Sequence, residues 1–216
     1  QKLRIIKNIF EQVPDTDLAN FLWLKSNGAE MWMKQTRTFA ISCGITSIVG
    51  YTIGLGDRHP SNLLIDSSTG KVIHIDFGDC FERTMKRKIL PEVVPFRLTR
   101  MMVKAMGPAG VDGSFRHSFV NMSQLLRENK RVLVMVLSTF VHEPLVDPND
   151  ITDGEIESSS SETLIIPSTS EELLRKENND KVVQTNVEIR KRVIQKLTGK
   201  DFGDKQLSVE DQATLL

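Results

Sequence analysis

The segment from Gly54 to Glu82 reads GLGDRHPSNLLIDSSTGKVIHIDFGDCFE. It holds three side chains whose types and spacing suit phosphoryl transfer from ATP. Asp57, at a loop end, can accept a hydrogen bond from an acceptor hydroxyl and hold its lone pair toward a γ-phosphate. Asn62 and Asp76 offer an amide oxygen and a carboxylate. Magnesium prefers a few such hard oxygens, with phosphates and waters completing its shell, to an all-protein cage. A second Asp-Phe-Gly stands at Asp201-Phe202-Gly203. No apolar strand precedes it and no Asn lies a hairpin away, so it reads as turn chemistry.

The elements around these residues must hold them. Leu63-Leu64-Ile65 and Val72-Ile73-His74-Ile75 are short apolar runs flanking Ser67-Ser68-Thr69-Gly70, a strand, turn, strand signal that places Asn62 and Asp76 at its two open ends. Before it, Leu3, Ile5, Ile6, Ile9 and Phe10 recur at helical spacing up to Pro14. Asp17 is expected to cap a second short helix through Leu24. A third helix is expected over about 31–51, burying Phe39, Ile41, Ile45, Ile48 and Val49. After Asp76 the chain is irregular as far as Pro95. Helical patterning resumes at 98–106, 118–128, 131–141 and 183–197. A last short helix begins near Ser208, with Asp211 in the reciprocal capping position. From about His142 to Asp180 the composition turns to Pro, Asp, Ser and Glu, including Ser158-Ser159-Ser160-Ser161, and reads as a flexible insertion.

Composition bounds the function. Lys plus Arg and Asp plus Glu are both 28 in 216 residues, which gives no global attraction to nucleic acid or anionic membrane. Cys43 and Cys80 have no metal-like spacing and suit a reducing compartment. The longest apolar run, Val132 to Val141, is too short to span a bilayer. The chain opens on Gln1 inside a helical pattern and reads as a piece of a longer protein.

Asp57 and Asn62 are separated by Arg58, His59, Pro60 and Ser61, the gap found between base and metal-binding Asn in the protein-kinase signature H-R-D-x-x-x-x-N. Here the His follows the Asp. That order, with His74-Ile75-Asp76-Phe77-Gly78, resembles the phosphatidylinositol 3-kinase and related-kinase superfamily. By that resemblance Asp57 is the hydroxyl-orienting base and His59 stabilises charge near the transferring phosphoryl group. Asn62 and Asp76 are the magnesium ligands, with manganese as an alternative ion, and Leu64 and Ile75 floor the adenine pocket. Arg58 is expected to brace the loop, and His74 to pack beside the metal site.

Outside the loop the resemblance narrows to the target of rapamycin group. It is carried by Leu22-Trp23-Leu24-Lys25-Ser26, by Asp79-Cys80-Phe81-Glu82 and by Val94-Pro95-Phe96-Arg97-Leu98-Thr99-Arg100-Met101. Asp112-Gly113 and Val193 through Phe202 add to it. The resemblance implies an α+β, mostly α, protein-kinase-like C-lobe over 1–141, with a small β-hairpin at the active site, a catalytic loop at 54–62 and an activation loop at 76–97. The insertion then spans 142–180, and terminal helices at 181–216 lead into a truncated FATC segment. The glycine-rich phosphate loop and strand Lys of an N-lobe are not in the chain. A serine/threonine protein kinase using ATP is implied. Its expected partners are protein substrates, regulatory subunits of a TOR-type complex and the rest of its own kinase domain. It is expected to be cytoplasmic, with peripheral association with endomembranes left open. A phosphatidylinositol lipid kinase and a non-catalytic scaffold are the rival readings; Met85-Lys86-Arg87-Lys88-Ile89 is basic enough to keep the first alive.

Overall fold

In this computed structural model, residues 2–142, 186–203 and 205–216 are described. Helices α1 (Lys2–Gln12), α2 (Asp17–Leu24) and α3 (Ala29–Ile53) lead into an antiparallel hairpin of β1 (Leu63–Ile65) and β2 (Val72–His74). Then follow α4 (Arg100–Ala105), α5 (Ser114–Glu128), α6 (Lys130–His142), α7 (186–198) and α8 (Val209–Leu215). The mostly helical class with one small sheet is as expected. The chain divides into two compact units, one of Gln1–Asn129 with Gln195–Leu216 and one of Lys130–Ile194. The Ser-rich insertion expected at 142–180 lies outside the described residues, apart from His142.

The spine of the first unit is α3, which runs two residues further at each end than its apolar pattern suggests. Gly54 ends it in the left-handed region, at φ +64°. The Leu55 N–H then turns back to the Gly50 carbonyl at 2.8 Å, closing a Schellman-type end. The buried face of α3 is more polar than expected. Phe39 and Ile48 are buried, but Ile41, Ile45 and Val49 are only half-buried, and Gln35, Ser42, Gly44 and Ser47 line the tightest face. Two physical reasons account for this. At Gly44, α5 comes so close that a β-carbon would overlap the Ser118 hydroxyl and the Phe115 carbonyl. The polar residues hold the hairpin: Ser42 Oγ accepts from the Val72 N–H at 2.9 Å, and Gln35 Nε2 donates to the Ser68 carbonyl at 3.1 Å. Gln35 Oε1 accepts from Ser26 Oγ at 2.8 Å, so this buried amide is satisfied on both sides.

The core joins Leu22, Phe39, Cys43, Val72, Ala105, Phe115 and Phe119. Burial pushes the Cys43 thiol up to about 12, so it behaves as an apolar group. Phe96 packs on Phe115 and Phe119, with ring centroids 6.4 and 5.7 Å away, and pins the end of the irregular stretch.

Local signals differ from expectation at two places and agree at a third. Thr16, not Asp17, stands at the cap of α2, in helical conformation and without a side-chain capping bond; Asp17 is the first helical residue, where its charge favours the helix N-terminus. Helix α5 begins at Ser114, directly after Gly113, rather than near Ser118. At α8, Ser208 caps as expected: its Oγ accepts from the Asp211 N–H at 3.0 Å and donates to the Asp211 carboxylate at 2.8 Å.

Candidate active site

Asp57 sits in the left-handed region at φ +57°, an uncommon conformation for a residue with a β-carbon. Its backbone is held at both ends by side chains. Its carbonyl accepts from Asn62 Nδ2 at 2.9 Å, and its N–H donates to Glu92 Oε2 at 2.8 Å. Arg58, 4% exposed, draws the two acid clusters together. Nε donates to the Gly56 carbonyl at 2.7 Å, one terminal nitrogen to the Ile75 carbonyl at 2.8 Å, and the other to the Asp76 carbonyl. These acceptors are all main-chain oxygens, so Arg58 fixes backbone, as its expected bracing role requires.

Asn62 is buried at the start of β1, and its amide nitrogen is engaged with Asp57. That orientation leaves Oδ1 as the group available to a cation. Asp76 also has φ +57°; its Oδ1 accepts from the Gly78 N–H at 3.1 Å, and the side chain is exposed. Across the hairpin mouth the Ile75 N–H donates to the Asn62 carbonyl at 3.1 Å. Asn62 and Asp76 are therefore adjacent to one closed pair of strands. Among the described residues no group of three His, Cys, Asp or Glu side chains is arranged for a metal. One amide oxygen and one carboxylate do fit magnesium that keeps phosphates and waters.

His59 is exposed, and its Nδ1 accepts from the Ser61 N–H at 3.2 Å. A neutral ring accepting there carries its proton on Nε2, which makes Nε2 the free donor. His74 is half-buried, and its pKa is lowered first by desolvation and then by the Arg58 charge, both of which favour the neutral ring.

The strand register places Leu64 opposite Ile73. Ile75 follows two residues on, so it shares their face. The three are 47%, 43% and 38% exposed, while Val72, on the alternate face, is 3% exposed and joins the core. An apolar face is thus turned away from α3. Ile73 belongs to this set although sequence reasoning named only Leu64 and Ile75; strict alternation along β2 carried the signal.

The stretch after Asp76 runs back along the loop. The Gly56 N–H donates to the Asp79 carbonyl at 2.9 Å, the Phe81 N–H to Ile53 at 2.8 Å and the Glu82 N–H to Gly54 at 2.9 Å. A β-carbon at Gly54 would meet the Glu82 amide at 2.6 Å, which explains the glycine. Lys196, at the end of α7, donates to the Tyr51 carbonyl at 2.8 Å and pairs with Glu82 at 2.7 Å.

A family model of phosphatidylinositol 3- and 4-kinases matches residues 6–149. The chain belongs to that family. Among curated proteins this chain is similar to the serine/threonine-protein kinase TOR2 of Saccharomyces cerevisiae, at 41% identity over 94% of this chain and 9% of the relative. It is 38% identical to the serine/threonine-protein kinase TOR of Oryza sativa subsp. japonica, over 93% of this chain and 9% of the relative. The solved FAT and kinase domain of CtTel1 is 27% identical, with a TM-score of 0.66, over 92% of this chain and 12% of that one. The chain spans about a tenth of the length of the curated relatives it matches.

The second Asp-Phe-Gly has a different setting. Asp201 Oδ1 accepts from Gln212 Nε2 at 3.2 Å, and its Oδ2 is buried without a partner. Gln212, 1% exposed, also bonds the Lys196 carbonyl and Arg127. Asp201 is therefore part of the packing between α8 and the end of α7. Sequence reasoning missed Glu92 and Lys196 beside the first cluster. Neither had a signal, because both act through contacts far apart in the chain.

Proposed function

We propose that this chain supplies the C-lobe of a TOR-type serine/threonine protein kinase, transferring the γ-phosphoryl group of ATP to protein hydroxyls. The observation that carries the reading is the joining of Asp57, Asn62 and Asp76: Asn62 bonds the Asp57 carbonyl, and Arg58 bonds the carbonyl of Asp76. The names borne by the similar relatives support a protein acceptor.

In this reading the loop 54–62 is the catalytic loop and 76–97 the activation segment. Asp57 accepts the hydrogen bond of the substrate hydroxyl and aims its lone pair at the phosphorus. Asn62 Oδ1 and the Asp76 carboxylate would hold magnesium, which would supply neutralisation of phosphate charge. The Nε2–H of His59 donates toward the transferring group. Leu64, Ile73 and Ile75 lie under the adenine. An N-lobe elsewhere in the protein closes the nucleotide site, and regulatory subunits of a TOR-type complex bring the protein substrates. The protein works in the cytoplasm. No helix among the described residues is long and apolar enough to cross a membrane.

The test is a side-by-side assay of the full-length protein with radiolabelled ATP on a protein acceptor and on phosphoinositide vesicles. Label on Ser or Thr of the protein is expected. Label only on lipid makes it a lipid kinase, and label on neither makes it a scaffold.

A further inference from the structure

From Met85 to Val94 every residue is exposed except Glu92. Its half-buried side chain is the one that reaches the backbone N–H of Asp57, at 2.8 Å. We infer that Glu92 is a positioning residue: its carboxylate locks Asp57 in the left-handed conformation and so makes the orientation of the base depend on how the 76–97 segment is folded. The inference rests on the kinase reading of Asp57 and adds to it a residue that touches neither substrate nor metal.

Three contacts make the arrangement a closed loop. The Glu92 N–H donates to the Thr84 carbonyl at 3.2 Å. Thr84 is buried and lies so close to Gly56 that a β-carbon on Gly56 would overlap its side chain. Gly56 precedes Asp57, whose N–H returns to Glu92. Displacing the 84–92 stretch therefore removes the acceptor from Asp57.

The conformation needs that acceptor. A residue with a β-carbon at φ +57° is disfavoured and persists where surrounding bonds over-determine it. Here Asn62 fixes the carbonyl side and Glu92 the amide side. A carboxylate is the stronger choice for the amide, since hydrogen bonds to ionised acceptors are shorter and stronger than neutral ones. With the amide side released, the peptide before Asp57 can rotate, and the carboxylate leaves the line between hydroxyl and phosphorus. Catalysis is sensitive to displacements of that size.

The experiment uses the full-length kinase with Glu92→Ala, Glu92→Gln and Asp57→Ala, each checked for a wild-type thermal unfolding profile. Glu92→Ala should lower kcat about 10- to 100-fold, the span that follows from losing one hydrogen bond to a charged group, with the KM for ATP changed less than about twofold. Glu92→Gln should recover most of the kcat, because its amide oxygen can accept the same N–H. The inference falls if Glu92→Ala keeps wild-type kcat, if the KM for ATP rises in proportion to the loss, or if Glu92→Gln is no better than Glu92→Ala. Asp57→Ala separates the two levels. If it is inactive while Glu92→Ala is normal, only the role of Glu92 is lost. If Asp57→Ala itself turns over normally, the kinase reading of the loop is lost with it.

Discussion

At the scale of single residues, two Asp-Phe-Gly triplets in one chain have opposite surroundings. Asp76 presents an exposed carboxylate at the hairpin mouth. Asp201 is desolvated, which raises its pKa, and one of its oxygens is buried without a partner. In the full-length enzyme, Asp76→Ala should abolish metal-dependent transfer, whereas Asp201→Asn should leave it nearly intact. Equal losses from both would mean that the wrong triplet has been given the metal. The raised pKa of Asp201 has a stability consequence with a definite sign. The unfolded chain ionises first, so the stability present below the unfolded value of 3.8 is lost as pH rises through the folded value. Wild type should therefore lose stability relative to Asp201→Asn between a pH below 3.8 and pH 7. Denaturant unfolding across that range measures it, and a difference that stays flat with pH would exclude Asp201 as the source.

At the scale of elements, the site depends on how closely α5 and the hairpin approach α3. Gly44 sets the first approach, and Ser42 with Gln35 sets the second. Gly44→Ala improves helix propensity by about 1 kcal/mol. It also forces a methyl group onto the Phe115 carbonyl, which is main chain and cannot rotate away. Overpacking of this kind costs about 1–3 kcal/mol. The net result expected is destabilisation, read as a lowered denaturation midpoint at unchanged slope. A stabilised variant would mean that the two helices separate freely at this crossing. The hairpin turn carries its own stabilisation: Thr69 Oγ1, then the hydroxyl and N–H of Ser68, bond the Asp66 carboxylate and lower its pKa to about 2.

At the scale of the whole molecule, the chain holds the side chains proposed for catalysis and metal binding but no glycine-rich loop and no strand Lys for the ATP phosphates. The purified 216-residue chain should therefore bind ATP weakly and phosphorylate a peptide negligibly. Robust turnover by it alone would overturn that expectation.

Much of this was legible in the residues themselves. The gap between Asp57 and Asn62, the hairpin that brings Asp76 back, the order Asp57-Arg58-His59 and the mostly helical class all follow from local signals: turn residues, apolar period and motif spacing. These are properties of neighbours in the chain, and a sequence records neighbours directly. The polar face of α3, the clamp of Glu92 on Asp57, the tie from Lys196 to Glu82 and the burial of Asp201 were decided by tertiary structure alone. Each joins groups distant in sequence, and each depends on backbone approaches of a few ångströms that no period or spacing encodes.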